Sequence, residues 1–242
     1  MKRIALFTVI ALLICTMGAC DRPESRRLQR AEAVMESAPD SALAILDSID
    51  TATLTRASDR ALYVLLLTQG RIKTYEVLTD DSLISTAVRY YEDHGPDSNL
   101  MKSLFYQGEI LSNNREFSKA IIPSMRAREM SISADNPYWQ AKASELIGDM
   151  LNHTFYYSEA IVYSREAASL YEKVNKVVNH RFALCDVAID YSNIGAHKRS
   201  LEILDSIRQI ALQNPSDSNL VYYTNSIIFA NYYRAKNFIA VR

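Results

Sequence analysis

The sequence predicts an all-α protein, a solenoid of antiparallel helix pairs that repeats about every 40 residues. Three observations carry this expectation. Leu104, Gly108, Leu111, Ala120 and Ala127 are followed at a spacing of 40 by Ser144, Gly148, Leu151, Ala160 and Ala167, then by Leu184, Ala188, Tyr191, Ser200 and Ile207. A fixed period in this range marks stacked supersecondary units, none of which buries its apolar face alone. Residues 42–49, ALAILDSI, are echoed by residues 200–207, SLEILDSI, with six identities in eight. Glycine and proline, six each in 242 residues, are too scarce for a turn-rich β protein, while 48% hydrophobic residues are enough for a core.

At the amino end, Met1-Lys2-Arg3 is a short positive region before the apolar run of residues 4–14. That run is too short to span a bilayer and suits a secretory signal. Met17-Gly18-Ala19-Cys20 resembles the lipobox of bacterial lipoproteins, with Met17 in place of the usual leucine. The resemblance implies a signal peptide over residues 1–19, acylation of Cys20 and a lipidated tether over residues 20–23. Acyl chains hold a protein at a membrane surface without a spanning helix. Of the three cysteines, Cys15 falls in the signal and Cys185 is left without an internal disulfide partner. Phe182, Leu184, Val187 and Ala188 surround Cys185 at helical spacing, which predicts a buried structural thiol.

Residues 24–242 are read as the repeat domain. Leu28, Ala31, Val34 and Met35 share a helical face that stops before Pro39, and Pro39-Asp40 are start signals for a short second helix. Residues 57–77 and 82–91 form a further pair, the second opened by Asp80-Asp81, which favour the positive end of the helix dipole. Gly95-Pro96 ends it. Three clear copies follow over 101–140, 141–180 and 181–220. Each has a first helix, a polar turn (Asn113-Asn114-Arg115, Asn152-His153-Thr154, Asn193-Ile194-Gly195) and a second helix. Pro123, inside a second helix, predicts a kink or a late start. An incomplete fourth copy, from 221, has a first helix over about 219–235 and then an apolar end. A solenoid end should be polar, so the expectation is that the natural array continues or that this edge docks onto something.

The repeated slots resemble the tetratricopeptide repeat, with a large apolar residue at Leu104, small residues at Gly108 and Ala120, and Ala127 in the second helix. The period is 40 where that family has 34, which predicts longer second helices or longer inter-repeat loops. Together with Cys20, the chain looks like the lipid-anchored tetratricopeptide proteins of Bacteroidetes envelopes. In the family, partners lie in a groove lined by first helices. Carried over residue by residue, the groove slots are Lys102, Phe105, Glu109, Ser112 and Asn113, then Lys142, Glu145, Asp149, Asn152 and His153. Phe182, Cys185, Ile189, Ser192 and Asn193 complete them. The family's clamp for a peptide carboxylate is missing, because Phe105 and Glu109 occupy its slots.

Catalytic patterns are not found. The sequence has no glycine-rich phosphate loop, GxSxG elbow, HExxH helix or CxxC pair. His94, His153, His180 and His197 are scattered, and His180, Cys185 and Asp186 do not share a helical face. No metal, cofactor or enzymatic activity is therefore expected. A net charge of −1 lacks the basic footprint of a nucleic-acid binder. For Tyr90-Tyr91, Tyr156-Tyr157, Tyr222-Tyr223 and Tyr232-Tyr233, one ring of each pair is expected in the core and the other at the rim. The reading is a non-catalytic, membrane-anchored scaffold that binds another envelope protein or peptide. Alternatives are the extracytoplasmic sensor part of a signalling protein, as in relatives that continue into a membrane helix, and a carbohydrate-binding lipoprotein. The outer membrane is the expected site, facing either side.

Overall fold

The computed structural model describes residues 23–214 and 217–240, with side chains described as far as Lys236. The signal region and Cys20 lie outside the described residues. The described residues form eleven α-helices, one 3-10 turn at Thr51–Thr53 and no strand. Two compact units meet in sequence between Glu76 and Val77.

The first unit holds α1 (Pro23–Val34), α2 (Pro39–Asp47) and α3 (Ala57–Lys73). Pro39 sits at the start of α2, where its missing N–H costs nothing. Leu28, Ala31, Met35, Ala42, Leu46 and Leu66 bury their side chains together. The periodic face read for residues 28–35 is the one that packs, and most of the stability of such short helices comes from this burial.

The second unit contains α4 (Ser82–His94), α5 (Asp97–Asn113), α6 (Phe117–Ser133), α7 (Pro137–His153), α8 (Tyr157–Lys173), α9 (Val177–Asn193), α10 (His197–Leu212) and α11 (Ser218–Ala240). Asp80 accepts from the Ser82 backbone N–H at 2.9 Å, so the acidic pair does open α4. Each helix packs on the next, and α5, α7, α9 and α11 also touch one another in succession. The first helices thus share one face of the unit. Small residues set the spacing within pairs: Ala120, Ala127, Ala160, Ala167 and Ala188 are all buried. At Gly108 the helices are packed tightly, and an added Cβ would lie 2.2 Å from Ser124 Oγ and 3.3 Å from the Ala120 carbonyl oxygen.

Two expectations are corrected. Helices α5 to α9 are each 17 residues long and their connectors have three residues, so the added length is shared by first and second helices and not placed in the loops. Pro123 does not delay its helix: α6 starts at Phe117, and Pro123 is buried inside it. It lies in the second turn, so it removes one hydrogen bond near the helix start, where the packed face of α6 holds the turn together.

One connector is used six times, once at Tyr75 in the first unit and five times in the second. Arg115, Asp135, Phe155, Asn175 and Gly195 all have positive φ, at intervals of 20 residues. In each, the N–H of that residue bonds three residues back and the next N–H bonds five back, as in Arg115 to Ser112 and Glu116 to Leu111. This is the Schellman arrangement, which satisfies the last carbonyls of a helix. Only Gly195 adopts it without side-chain strain, since a left-handed residue costs roughly 1–2 kcal/mol when it carries a Cβ. Arg115→Gly should therefore raise stability by roughly 0.5–1 kcal/mol after the entropy of glycine is subtracted, and Gly195→Ala should lower it by about 1 kcal/mol. Denaturant midpoints of the two variants measure this, and an Arg115→Gly protein less stable than its parent would contradict it.

Candidate functional site

The face shared by α5, α7, α9 and α11 carries most of the groove residues expected from the sequence, but in altered roles. Phe105 is withdrawn into the core at 4% exposure, against Tyr106 and Trp139, because an aromatic side chain in that slot gains more by packing than by lining a groove. Lys142 covers this cluster: its Nζ lies 4.4 Å from the Phe105 ring centre and 5.0 Å from that of Trp139, within cation–π range. Lys102 is half-buried on the same helix as Phe105. Asn113 is exposed and donates to the Leu78 carbonyl at 3.2 Å, so it ties down the chain before α4. Asn193 is half-buried near the end of α9.

The rest of the face is acidic. Burial raises the Glu109 carboxyl above the usual carboxylate range, with Lys142 opposing. Glu145 accepts from the Tyr171 hydroxyl at 2.6 Å, yet burial still raises it. Neighbouring protein raises Asp149 although its side chain is 59% exposed, and His153, whose Nε2 is 3.6 Å away, opposes the rise. Asp190 is buried and accepts hydrogen bonds from Ser164 and Asn152, but burial pushes it up to about 6. Asp186 is pushed well up, first by burial and then by the charges of Glu145, Asp149 and Asp190. Asp149, Asp186 and Asp190 line one cavity of about 220 Å³ with Asn152, His153 and Tyr223. Burial pushes the Tyr223 hydroxyl up to about 12, with Asp186 adding to it.

Asp190 and Tyr223 are site residues that the repeat register does not find, and Asp186 enters the sequence reading only as a metal candidate. Glu145 and Asp149 sit four apart on α7, and Asp186 and Asp190 sit four apart on α9. The second pair follows the first by 41 residues, so a comparison at 40 lands on Cys185 and Ile189 instead. The signal was the repeated spacing of four, one residue out of phase.

Cys185 is fully buried and burial raises its thiol to about 12, which keeps it protonated and unreactive. His180 Nδ1 lies 2.8 Å from the Ala168 carbonyl oxygen. Among the described residues no group of three His, Cys, Asp or Glu side chains is placed to hold a metal ion. The tyrosine expectation holds for Tyr90-Tyr91, where Tyr91 is buried; Tyr157 and Tyr223 are only half-buried beside the exposed Tyr156 and Tyr222. It fails for Tyr232 and Tyr233, which are 60% and 64% exposed on α11.

Behind this face, Arg128 on α6 makes two hydrogen bonds to Glu166 on α8, at 3.0 and 2.6 Å, and Gln140 and Ser144 of α7 donate to the same carboxylate. Burial opposes the charge on Glu166, but these donors outweigh it and hold the carboxyl below its usual range. The cluster spans two successive helix pairs and fixes the register in which α7 presents its acids.

No protein-family model and no curated protein sequence matches the chain. Solved structures do. Aspartyl phosphate phosphatase F from Bacillus subtilis is 12% identical, covering 90% of this chain and 59% of that one, with a TM-score of 0.65. A Rap protein complexed with Competence and Sporulation Factor is 14% identical over 90% of this chain and 64% of the other, at 0.64. BtubC from P. vanneervenii is 14% identical and covers 92% of that chain, at 0.50. The chain thus spans less than two thirds of the first two. At these identities the likeness establishes the fold, an all-α array of tetratricopeptide-like helix pairs.

Proposed function

We propose that this protein is a non-catalytic scaffold that binds another protein or peptide on the α5–α7–α9–α11 face while acyl chains on Cys20 hold it to a membrane of the bacterial envelope. The observation that carries the binding part is the continuity of that face. Four helices contribute to it in succession, and it presents charged and amide side chains around a cavity. A neighbour of the same fold is held in complex with Competence and Sporulation Factor, which supports partner binding by such an array. The anchoring part rests on the Met17-Gly18-Ala19-Cys20 sequence. Among the described residues no helix is long and apolar enough to cross a membrane.

The test is photo-crosslinking in intact cells with the full-length protein, the crosslinker placed at Lys102 or Asn152. A discrete protein adduct is expected from both positions, and from neither when the crosslinker is moved to Glu172 on α8. Cys20→Ala should shift the protein from the membrane fraction to the soluble fraction. Absence of any protein adduct would remove the scaffold reading, and unchanged membrane fractionation of Cys20→Ala would remove the anchor.

A further inference from the structure

We propose that two copies of this protein pair through the outer face of α11, with Tyr222, Phe229, Tyr232 and Tyr233 of one copy packed on the same residues of the other. The four residues are 79%, 75%, 60% and 64% exposed, so no described residue covers them. From Tyr222 to Tyr233 they form a stripe roughly 16 Å long at 1.5 Å per residue. The inference stands apart from the scaffold reading, which concerns the face around the cavity.

The repeat itself shows what such a face meets. One pair earlier, the same slots on α9 are Phe182, Cys185, Ile189 and Ser192, and α11 packs over them. The Phe182 ring lies 5.6 Å from that of Tyr223, and Cys185 is fully buried in a cluster with Leu220 and Ile227. Arg234 donates to Ser192 Oγ at 3.4 Å. Forty residues on, the slots hold Tyr222, Asn225, Phe229 and Tyr232. By the register of the array, this side of α11 is shaped to receive another first helix. In a second copy, α11 is itself a first helix and carries the apolar rings the contact needs.

Area and charge fit that occupant. An aromatic residue offers roughly 150–250 Å² to a contact. At their observed exposures the four rings bury about 500–600 Å² per copy and about 1,100 Å² in the pair, enough for a specific interface. Contiguous exposed apolar surface of this size marks an interaction site. From Ser218 to Tyr233 the helix carries no charged side chain, so two such faces meet without repulsion. A two-fold pairing uses one patch twice and closes at two copies. Head-to-tail stacking is disfavoured, because the amino-terminal helix α1 exposes Arg26, Arg27, Gln29 and Arg30, which offer the rings no apolar complement. The pairing also gives both rings of Tyr232-Tyr233 a place to be buried.

The experiment is sedimentation equilibrium of the purified full chain in density-matched detergent, together with a photo-crosslinker at Asn225 in intact cells. A two-copy species and an adduct of twice the chain mass are expected. Phe229→Glu enters the interface twice and leaves an unpaired charge each time, so it should weaken the pair by about a hundredfold or more. Tyr232→Ala should weaken it by about tenfold. Val162→Glu, at a comparably exposed apolar site on α8, should leave it unchanged. Thermal melts confirm that the variants are folded. A monomer at every concentration, pairing that survives Phe229→Glu, or polymers that lengthen with concentration overturns the assignment. An Asn225 adduct of any other mass gives the face to a different protein and overturns it as well. Crosslinks from Lys102 and Asn152 are read separately: their absence removes the scaffold reading and leaves the pairing standing.

Discussion

Lowering the pH from 7.5 to 5 should raise the melting temperature of this protein, where most proteins lose stability on acidification. The reason lies in the direction of the groove shifts. A carboxyl whose folded pKa is depressed stabilises the fold above its unfolded pKa and loses that contribution in acid. Here Glu109, Glu145, Asp149, Asp186 and Asp190 are all raised. The folded state therefore binds more protons than the unfolded state between about pH 4 and 6, and stability falls as pH rises through that window.

For Asp190 the displacement from 3.8 to about 6 corresponds to roughly 3 kcal/mol at 1.36 kcal/mol per tenfold step. The groups facing these acids are Lys142 and His153 on α7, Tyr171 on α8 and Tyr223 on α11. Glu166 and the surface acids Glu76, Asp80 and Glu116 run the other way, but their contributions begin to fall only near their ordinary values, at the acid edge of the window, so they subtract little at pH 5. Only about half of the Asp190 contribution, roughly 1.4 kcal/mol, is recovered by pH 5, because the whole shift is realised only below the unfolded value of 3.8. At ~2–4 °C per kcal/mol for a chain of this size, the rise is about 3–5 °C by circular-dichroism melting. Asp190→Asn at pH 7.5 should reproduce much of it and flatten the remaining pH dependence. A wild-type melting temperature lower at pH 5 than at 7.5 would refute the account.

Gly108→Ala should destabilise the protein by about 2 kcal/mol although alanine is the better helix former. Propensity favours the change by about 1 kcal/mol. Packing opposes it more strongly, since the new methyl would sit 2.2 Å from Ser124 Oγ and 3.3 Å from the Ala120 carbonyl, and overpacking costs roughly 1–3 kcal/mol or more. Ser124 is fully buried and its hydroxyl donates to the Ala120 carbonyl at 2.8 Å, so it has little room to turn away. The clash belongs to one atom pair, which makes it separable. In Gly108→Ala with Ser124→Ala the hydroxyl is gone and the nearest side-chain atom is the Ser124 Cβ position at 3.4 Å. The double variant should then lie within about 0.5 kcal/mol of Ser124→Ala alone, and the coupling measured by the cycle should be near 2 kcal/mol. Additive single effects would show that the helices part easily at this point. Gly148→Ala, where Ser164 Oγ is 2.9 Å from the added carbon, should cost less.

The architecture was readable because its cause is local. Small residues at a spacing of 40 are the positions where paired helices touch, and the structure buries Ala120, Ala160 and Ser200 there without exception. The lengths of the helices were less readable, because the turns carry almost no composition signal. Arg115, Asp135 and Phe155 occupy a conformation that usually advertises itself by glycine. The groove was half-readable. Glu145, Asp149 and Asn152 came from slots that the repeat register defines. Asp186 and Asp190 stand one residue out of step on α9, a rotation of about 100° from the register slots, so the repeat comparison misses them although both line the cavity. Phe105 shows the opposite error, a slot that faces the groove in register but whose aromatic ring turns inward under Lys142.

The connector used at Arg115, Asp135, Phe155, Asn175 and Gly195 divides this unit into helix-and-turn modules of 20 residues that begin at 97, 117, 137, 157, 177 and 197. A tandem duplication or deletion of 40 codons anywhere in that span joins one such boundary to an equivalent one. First helices stay next to first helices, and the reading face grows or shrinks by one helix. A change of 20 codons exchanges the two kinds of helix, and puts the solvent side of one where the core side of the other belongs. Gene rearrangement in this region is thus filtered by phase, and the length of the binding surface can evolve in whole pairs without redesigning a single turn.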